Sequence, residues 1–395
     1  MFIPAGKRPV HPAFLTALCY ASMMALSIGI NLLPVYLTTL SVTYGGSDGL
    51  TQEELGRLGA CAFGGLVIGI LLTGPLVDRW GAKLFTLTAS AMIALSLAAC
   101  GLAPDYTLLC VAMFFLGAGS GVMDMVLSPI VSVLNPQRRT SALNWLHSFY
   151  CVGAVVTILA GTLFIKAGLS WKISCLLLVP LPALLFFLFA PLRFPSLGTH
   201  ETRTKLRTLV WHKWFILALI TIFLGGATEA GMAQWLPAYA ETNLGFSRMT
   251  GGISLLAFSV MMALGRMIIG SLDKHVNPFV IMMWGCGLSV LLFLLGSFLP
   301  LPWAALSACV LVGFTGSCLW PTVLAVTADR YPSGGASMFG FLAAFGNMGG
   351  IFMPWVVGWI ADLANLSWGL AISALAPALM LPLLLKMRRD KEVCH

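Results

Sequence analysis

Two carboxylates lie inside long apolar stretches of the sequence, where acidic side chains are rare. Asp124 ends the run "LGAGSGVMD", and Glu229 lies within "GGATEAGMAQWLPAY", residues 225–239. If these stretches cross a bilayer, each charge costs at least about 2.5–3.5 kcal/mol and should face a cavity or a partner. A carboxylate at that depth can bind a proton on one side and release it on the other. We therefore predict proton exchange at Asp124 or Glu229, and the alternative is a structural acid paired to a neighbouring helix.

A histidine and an asparagine form a second polar pair, in "LNWLHSFYCVGA", residues 143–154. The short loop "NPQRRT" separates this stretch from the one that holds Asp124, so the two helices run antiparallel and His147 lies at nearly the depth of Asp124. Asn144 lies one turn below His147. An Asp–His pair can share a proton, whereas a histidine bonded to a backbone carbonyl would be structural. The sequence leaves both interpretations open.

Three amides and a tryptophan complete the polar residues inside the apolar stretches. Asn31 and Gln234 occupy matching positions beside "LLPVY" and "WLPAY", Trp235 follows Gln234, and Asn347 lies in a later stretch. Amides and carboxylates pair with hydroxyl groups, and an aromatic face packs on the C–H side of a sugar ring. We expect these four side chains to contact a polyhydroxylated solute. The alternatives are amides that only join helices and a tryptophan at the membrane interface.

The elements that must position these residues are membrane-spanning helices. The chain has 395 residues, of which 59% are hydrophobic and 9% charged, with a mean hydropathy of +0.93. A globular protein carries roughly 25% charged residues, and about 20 apolar residues suffice to cross a bilayer. We predict an all-α integral membrane protein with twelve transmembrane helices, at about 14–42, 55–78, 83–103, 107–133, 142–167, 171–192, 213–240, 250–272, 277–299, 302–327, 335–361 and 367–386.

The net charge of +8 does not indicate a nucleic-acid partner, because most basic residues lie at the loops on one side of the predicted membrane. Basic residues concentrate at alternate loops, namely Lys7, Arg8, Arg79, Lys83, Arg138, Arg139, the stretch 193–213, Lys274, Arg330, Lys386, Arg388, Arg389 and Lys391. By the positive-inside rule, both termini and the central loop are cytoplasmic. We expect a multi-pass protein of the plasma membrane, in a bacterium the cytoplasmic membrane.

Internal similarity divides the chain into two halves. "NLLPVY" matches "QWLPAY", and "GILLTGPLVDRWGAK" matches "GRMIIGSLDKH" at an offset close to half the chain. We predict an N-terminal six-helix bundle over 1–192, a cytoplasmic linker over 193–213 and a C-terminal six-helix bundle over 214–395. Parallel repeats of this kind are typical of transporters whose solute site lies near the midplane between the halves.

One loop carries a resemblance to a known family. "GPLVDRWGAK" resembles G-x-L-x-D-R-x-G-R-K, the signature between the second and third helices of the major facilitator superfamily, with Ala82 at the first basic position. The resemblance implies the fold of that superfamily and a cytoplasmic gate. Its residues would be Gly74, Asp78, Arg79, Gly81 and Lys83. Physically, a carboxylate at a helix end can accept bonds from the N-terminus of a neighbouring helix.

Three further motifs resemble one branch of that superfamily, the fucose and glucose/mannose:cation symporters. They are "GAGSGVMD", "LNWLHSFYCVGA" and "TEAGMAQWLPAY", similar to G-x-G-x-x-D, L-N-x-x-H-x-F-x-x-G-A and E-x-x-x-x-x-W-x-x-x-Y. The resemblance implies a solute and ion pathway that contains Asp124, Asn144, His147, Glu229 and Trp235.

These features favour secondary symport of a sugar-like or other small polar solute with H⁺ or Na⁺, by alternating access. The alternative is efflux of amphipathic compounds or drugs by proton antiport, for which the 19 methionines would form an adaptable surface. We expect no enzyme activity, no cofactor and no metal site, because no nucleotide loop or metal-ligand spacing is present. The expected partners are the solute, the ion and the lipid bilayer, and we expect a monomer.

Overall fold

A computed structural model describes residues 12–45, 49–50, 52–197, 206–272 and 276–392. Both chain ends, with the basic residues Lys7 and Arg8, lie outside the described residues. The same holds for 198–205, within the predicted linker 193–213.

The described residues form helices and loops, without a β-strand. The helices are α1 (Pro12–Gly45), α2 (Gln52–Trp80), α3 (Ala82–Leu102), α4 (Tyr106–Leu134), α5 (Arg139–Lys166), α6 (Trp171–Leu178), α7 (Pro180–Phe189), α8 (Leu206–Leu209), α9 (Lys213–Ala233), α10 (Leu236–Thr242), α11 (Arg248–Leu272), α12 (Pro278–Phe298), α13 (Pro302–Gly316), α14 (Leu319–Arg330), α15 (Gly335–Leu363), α16 (Leu366–Ile372) and α17 (Leu375–Glu392). Eleven segments within the described residues are long and apolar enough to cross a membrane, and α1 adds the shorter apolar segment Pro12–Ile28. The predicted all-α membrane fold is confirmed.

Several predicted spans are each built from two helices because a proline interrupts the backbone ladder. Pro237 has no N–H to donate to Ala233, and α9 ends there before α10 begins. Pro321 likewise leaves the carbonyl of Ser317 without its usual donor, at the junction of α13 and α14. Each junction therefore leaves a carbonyl in an apolar span without a backbone donor from its own helix.

The chain divides into two compact units. The first contains residues 1–134, 152–203 and 335–340, and the second contains 135–151, 204–334 and 341–395. Helices α5 and α15 each contribute a segment to both units.

Helix α4 is the centre of the first unit, where it packs against α1, α2 and α3. Its glycines Gly117 and Gly121 lie against the backbone carbonyls of Ala62 and Leu66 in α2, so closely that a Cβ would overlap them. Small residues spaced by four allow helices to approach closely in a membrane, where lipid offers no hydrophobic drive for association. The spacing therefore fixes the backbone that carries Asp124.

In the second unit, α13 packs against α11 and α12, and α9 packs against α14 and α17. The beginning of α5 also belongs to this unit, so His147 and Asn144 pack among helices from the second half of the sequence. Gly270 of α11 lies against this segment, where a Cβ would be 3.2 Å from the carbonyl oxygen of Ser141.

Candidate functional site

In the first unit, Asp78 caps the N-terminus of α15. Its Oδ1 accepts the backbone N–H of Ala336 at 2.8 Å, and its Oδ2 accepts the N–H of Ser337 at 2.9 Å and the Ser337 hydroxyl. The first N–H groups of a helix have no partner within it, and the helix dipole favours a negative charge at that end. Asp78 therefore ties α2 to the beginning of α15.

Two glycines make this contact possible. Gly335 has φ of +66°, and a Cβ there would lie 2.8 Å from Oδ1 of Asp78. Gly74 lies one turn before Asp78, and a Cβ on it would be 3.3 Å from Cα of Ser337. A larger residue at either position would push the carboxylate and the helix end apart.

The other predicted gate residues have different environments. Gly81 has φ of +83° at the turn between α2 and α3, a conformation that glycine adopts without steric cost. Lys83 donates from Nζ to the carbonyl oxygens of Ala190 at 2.6 Å and Leu192 at 2.9 Å, at the C-terminal end of α7. The Arg79 side chain is exposed. Of the five, Gly74 and Asp78 contact α15.

The second unit holds a mid-span ion pair between α9 and α11. Nη2 of Arg266 lies 2.7 Å from Oε2 of Glu229. The Arg266 side chain is 3% exposed and that of Glu229 is 25% exposed. The guanidinium is therefore enclosed by protein, and the carboxylate is the more accessible partner of the pair.

The remaining donors of Arg266 bind acceptors on α5 and at the junction of α13 and α14. Nε donates to the carbonyl oxygen of Ser317 at 2.9 Å, and Nη1 donates to the carbonyl oxygen of His147 at 2.9 Å and contacts Sγ of Cys151 at 3.2 Å. The Ser317 carbonyl is the one that Pro321 leaves without a donor. A break in the helix thus supplies the acceptor that fixes the guanidinium.

Asn144 and His147 are buried in the same unit. Nδ2 of Asn144 donates to the Thr140 carbonyl at 2.9 Å and to the Thr322 hydroxyl at 3.1 Å, which joins α5 to α14. Its Oδ1 is buried without a hydrogen-bond partner among the described residues. His147 is 6% exposed, and its backbone carbonyl accepts a hydrogen bond from Arg266. Asp124, the predicted proton-sharing partner of His147, belongs to the other unit.

Asp124 differs from Glu229 in having no countercharge. It lies in α4 of the first unit, is partly exposed, and makes no hydrogen bond or ion pair with any residue that the structure describes. An unpaired carboxylate in an apolar span carries a large cost when charged. The two mid-span acids therefore have opposite surroundings.

The three predicted amides are only partly engaged. Nδ2 of Asn31 donates to the carbonyl and hydroxyl of Ser27, and Nδ2 of Asn347 donates to the carbonyl of Ala343, each within its own helix. Gln234 is exposed at the junction of α9 and α10. Neither Asn31 nor Asn347 bonds a second helix among the described residues, so their carboxamide oxygens are available to a ligand.

Trp235 packs against α15. Its Nε1 donates to the carbonyl oxygen of Pro354 at 2.9 Å, and a Cβ on Gly358 would lie 3.0 Å from the indole ring. The indole N–H is therefore engaged with protein, and what the ring can offer a ligand is an apolar face.

Sequence reasoning missed Arg266. Arg266 is a basic residue among apolar ones, and it lies about 9 Å along the helix from the end of α11, at 1.5 Å per residue. An arginine at that depth is as informative as a carboxylate, because both are costly in hydrocarbon. Its position within an apolar span was the available signal.

Comparison with known proteins gives consistent matches over most of the chain. The probable nitrate/nitrite transporter NarK2 of Mycobacterium tuberculosis is 25% identical over 339 residues, which cover 81% of this chain and 82% of that protein. The cis,cis-muconate transport protein of Acinetobacter baylyi is 24% identical and covers 83% of each. Crystal structures of FucP, the E. coli fucose:proton symporter, superpose with TM-scores of 0.82 and 0.80 at 20% and 19% identity, and cover 95% of this chain and 99% of FucP.

At these identities the likeness to FucP shows the fold, which agrees with the predicted membrane-spanning helices. The family model of the Major Facilitator Superfamily matches residues 13–337, well over half of the chain. Together with relatives that are themselves transporters, the match establishes a membrane transporter and not an enzyme. The chain belongs to the Major Facilitator Superfamily.

Proposed function

We propose that this transporter is a proton-coupled symporter of a small polar solute, which works as a monomer by alternating access between its two sequence halves. The observation that carries the proposal is the pair of mid-span acids. Glu229 is bonded to Arg266, whereas Asp124 has no polar partner among the residues that the structure describes. A carboxyl group that is neutral while loaded and loses its proton on the opposite side couples transport to the proton gradient.

A hydroxylated, sugar-like solute is the class that the accessible polar groups support best. Glu229, Asp124 and the carboxamide oxygens of Asn31 and Asn347 are hydrogen-bond acceptors, which hydroxyl groups satisfy. FucP carries fucose with a proton, whereas the muconate and nitrate/nitrite proteins are named for anions. The relatives therefore define competing solute classes.

Uptake by the purified protein in liposomes tests this proposal. A panel of neutral sugars, nitrate and cis,cis-muconate is offered with an inward pH gradient, with an inward Na⁺ gradient and with neither. We expect accumulation of a neutral sugar only with the pH gradient, and none in liposomes without protein. Accumulation that follows Na⁺ alone, or no accumulation of any compound, contradicts proton symport.

A substitution in the predicted gate should slow transport without weakening solute binding. Asp78→Asn removes the negative charge from the N-terminus of α15 and weakens the bonds to Ala336 and Ser337. Because charge-assisted bonds contribute about 1.5–3 kcal/mol, we expect transport to slow by about tenfold or more while solute affinity changes little. Initial rates and equilibrium binding are measured for this variant and for Asp362→Asn, a control at an exposed acid of α15. Loss of binding in folded Asp78→Asn protein would mean that the residue is more than a gate.

The orientation that the basic loops predict places both termini and the central linker in the cytoplasm. A cysteine introduced between positions 195 and 205 is therefore expected to react with a membrane-impermeant thiol reagent only after the cells are opened. Asp105→Cys, at the opposite end of the helices, is expected to react on intact cells. Reaction of the linker cysteine on intact cells would reverse the assigned orientation.

A further inference from the structure

Arg266 is held by more contacts than a simple counterion needs. Three of its contacts are with the carbonyl oxygens of Ser317 and His147 and with Sγ of Cys151, and only Nη2 reaches Glu229. The His147 carbonyl lies on α5, and the Ser317 carbonyl lies at the junction of α13 and α14. These two acceptors fix the plane of the guanidinium without any contribution from Glu229. A guanidinium presents its donors in a rigid fork, so with Nε and Nη1 engaged it is Nη2 that can donate to a carboxylate.

The exposures of the two side chains show which of them a ligand can reach. Glu229 is 25% exposed and Arg266 is 3% exposed, so a ligand can reach the carboxylate but not the guanidinium. Among the described residues, the other partly exposed mid-span acid is Asp124, which has no basic partner. The groups that these two acids offer to a ligand are therefore acceptors, and the guanidinium of Arg266 is already bonded to Glu229.

The geometry points to Arg266 as a positioning residue that holds Glu229 as a charged hydrogen-bond acceptor, which leaves Asp124 to exchange the coupling proton. The inference rests on the proposed function and assigns the two acids different roles within it. It also restricts the ligand: groups that bind Glu229 must donate hydrogen bonds, as hydroxyl or ammonium groups do, and small anions are repelled. This site therefore differs from what nitrate or muconate would require.

Three other titratable groups near the pair cannot supply a positive charge. They are the thiols of Cys151 and Cys318 and the phenol of Tyr150. His147 offers its backbone carbonyl to the guanidinium. Arg266 is therefore the group that balances Glu229. Removal of the guanidinium leaves the Glu229 carboxylate without a countercharge among the described residues.

Infrared spectroscopy of the purified protein at mildly acidic pH tests the assignment without any solute. A protonated carboxyl group gives a stretching band that ionised carboxylates lack. We expect this band in the wild-type protein, its loss in Asp124→Asn, and its retention in the double variant Glu229→Gln with Arg266→Gln. We expect a second such band in Arg266→Gln, and at least about tenfold less of it in Arg266→Lys, which restores a positive charge.

The outcomes separate this inference from the proposed function. Three results would overturn the assignment. They are a wild-type protein that lacks the band, a band that persists in Asp124→Asn, and a band that disappears only in the variant that carries Glu229→Gln. If Arg266→Gln does not fold, the wild-type and Asp124→Asn spectra alone decide. Accumulation of muconate or nitrate with the pH gradient would leave proton symport standing and refute the restriction to donor-bearing ligands.

Discussion

Asp124→Asn is expected to abolish pH-driven accumulation of the solute while exchange across the membrane continues. A gradient of one pH unit is worth about 1.4 kcal/mol and supports about tenfold accumulation at one proton per solute. Asparagine mimics the neutral, loaded carboxyl group but cannot release a proton, so the inside and outside solute concentrations should become equal. Counterflow exchange needs only the loaded carrier to reorient and should remain near the wild-type rate.

Glu241→Gln, at an exposed acid near the end of α10, is the matched control and should accumulate solute normally. The double variant Glu229→Gln with Arg266→Gln should lose both accumulation and exchange, because it removes the acceptor that binds the solute. If Asp124→Asn and this double variant both keep full pH-driven accumulation, neither acid lies in the pathway and symport is excluded.

The second large effect concerns stability. Glu229→Gln leaves the guanidinium of Arg266, 3% exposed, without its anionic partner. Breaking a buried ion pair from one side typically costs about 3–5 kcal/mol. We expect the free energy of unfolding in detergent to fall by about that amount. The measurement is chemical denaturation followed by circular dichroism.

A double-mutant cycle separates the ion pair from other effects of the substitutions. Arg266→Gln alone should cost less than Glu229→Gln, since Glu229 is partly exposed and water can reach it. The double variant should be more stable than Glu229→Gln, because no unpaired charge remains. Additive costs of the two single substitutions would show that the pair is not coupled in the folded protein.

The sequence predicted the helices well because the evidence for them is local. Runs of apolar residues of sufficient length mark each span, and the positions of Lys and Arg add a direction. The interruptions were harder to predict, because a proline in an apolar run can kink a helix or end it. At Pro237 and Pro321 it separates two helices, whereas α2 continues through Pro75.

The candidate site was predictable only in part. Glu229 and Asp124 stand out as acids in apolar runs, but a linear sequence does not show which of them has a countercharge. Arg266 is 37 residues from Glu229, and their contact follows from the packing of α9 and α11. The assignment of roles to these residues, and to Asn144 and His147, remains a prediction.

The helix break at Pro321 has a consequence for how this site changes during evolution. A residue with an N–H at position 321 could donate a hydrogen bond to the Ser317 carbonyl. Nε of Arg266 would then lose its fixed acceptor. We therefore expect the proline, the arginine and the carboxylate at 229 to covary, although they lie in three separate parts of the sequence. Homologues are expected to keep or lose these three residues together, and to vary independently of them at position 124.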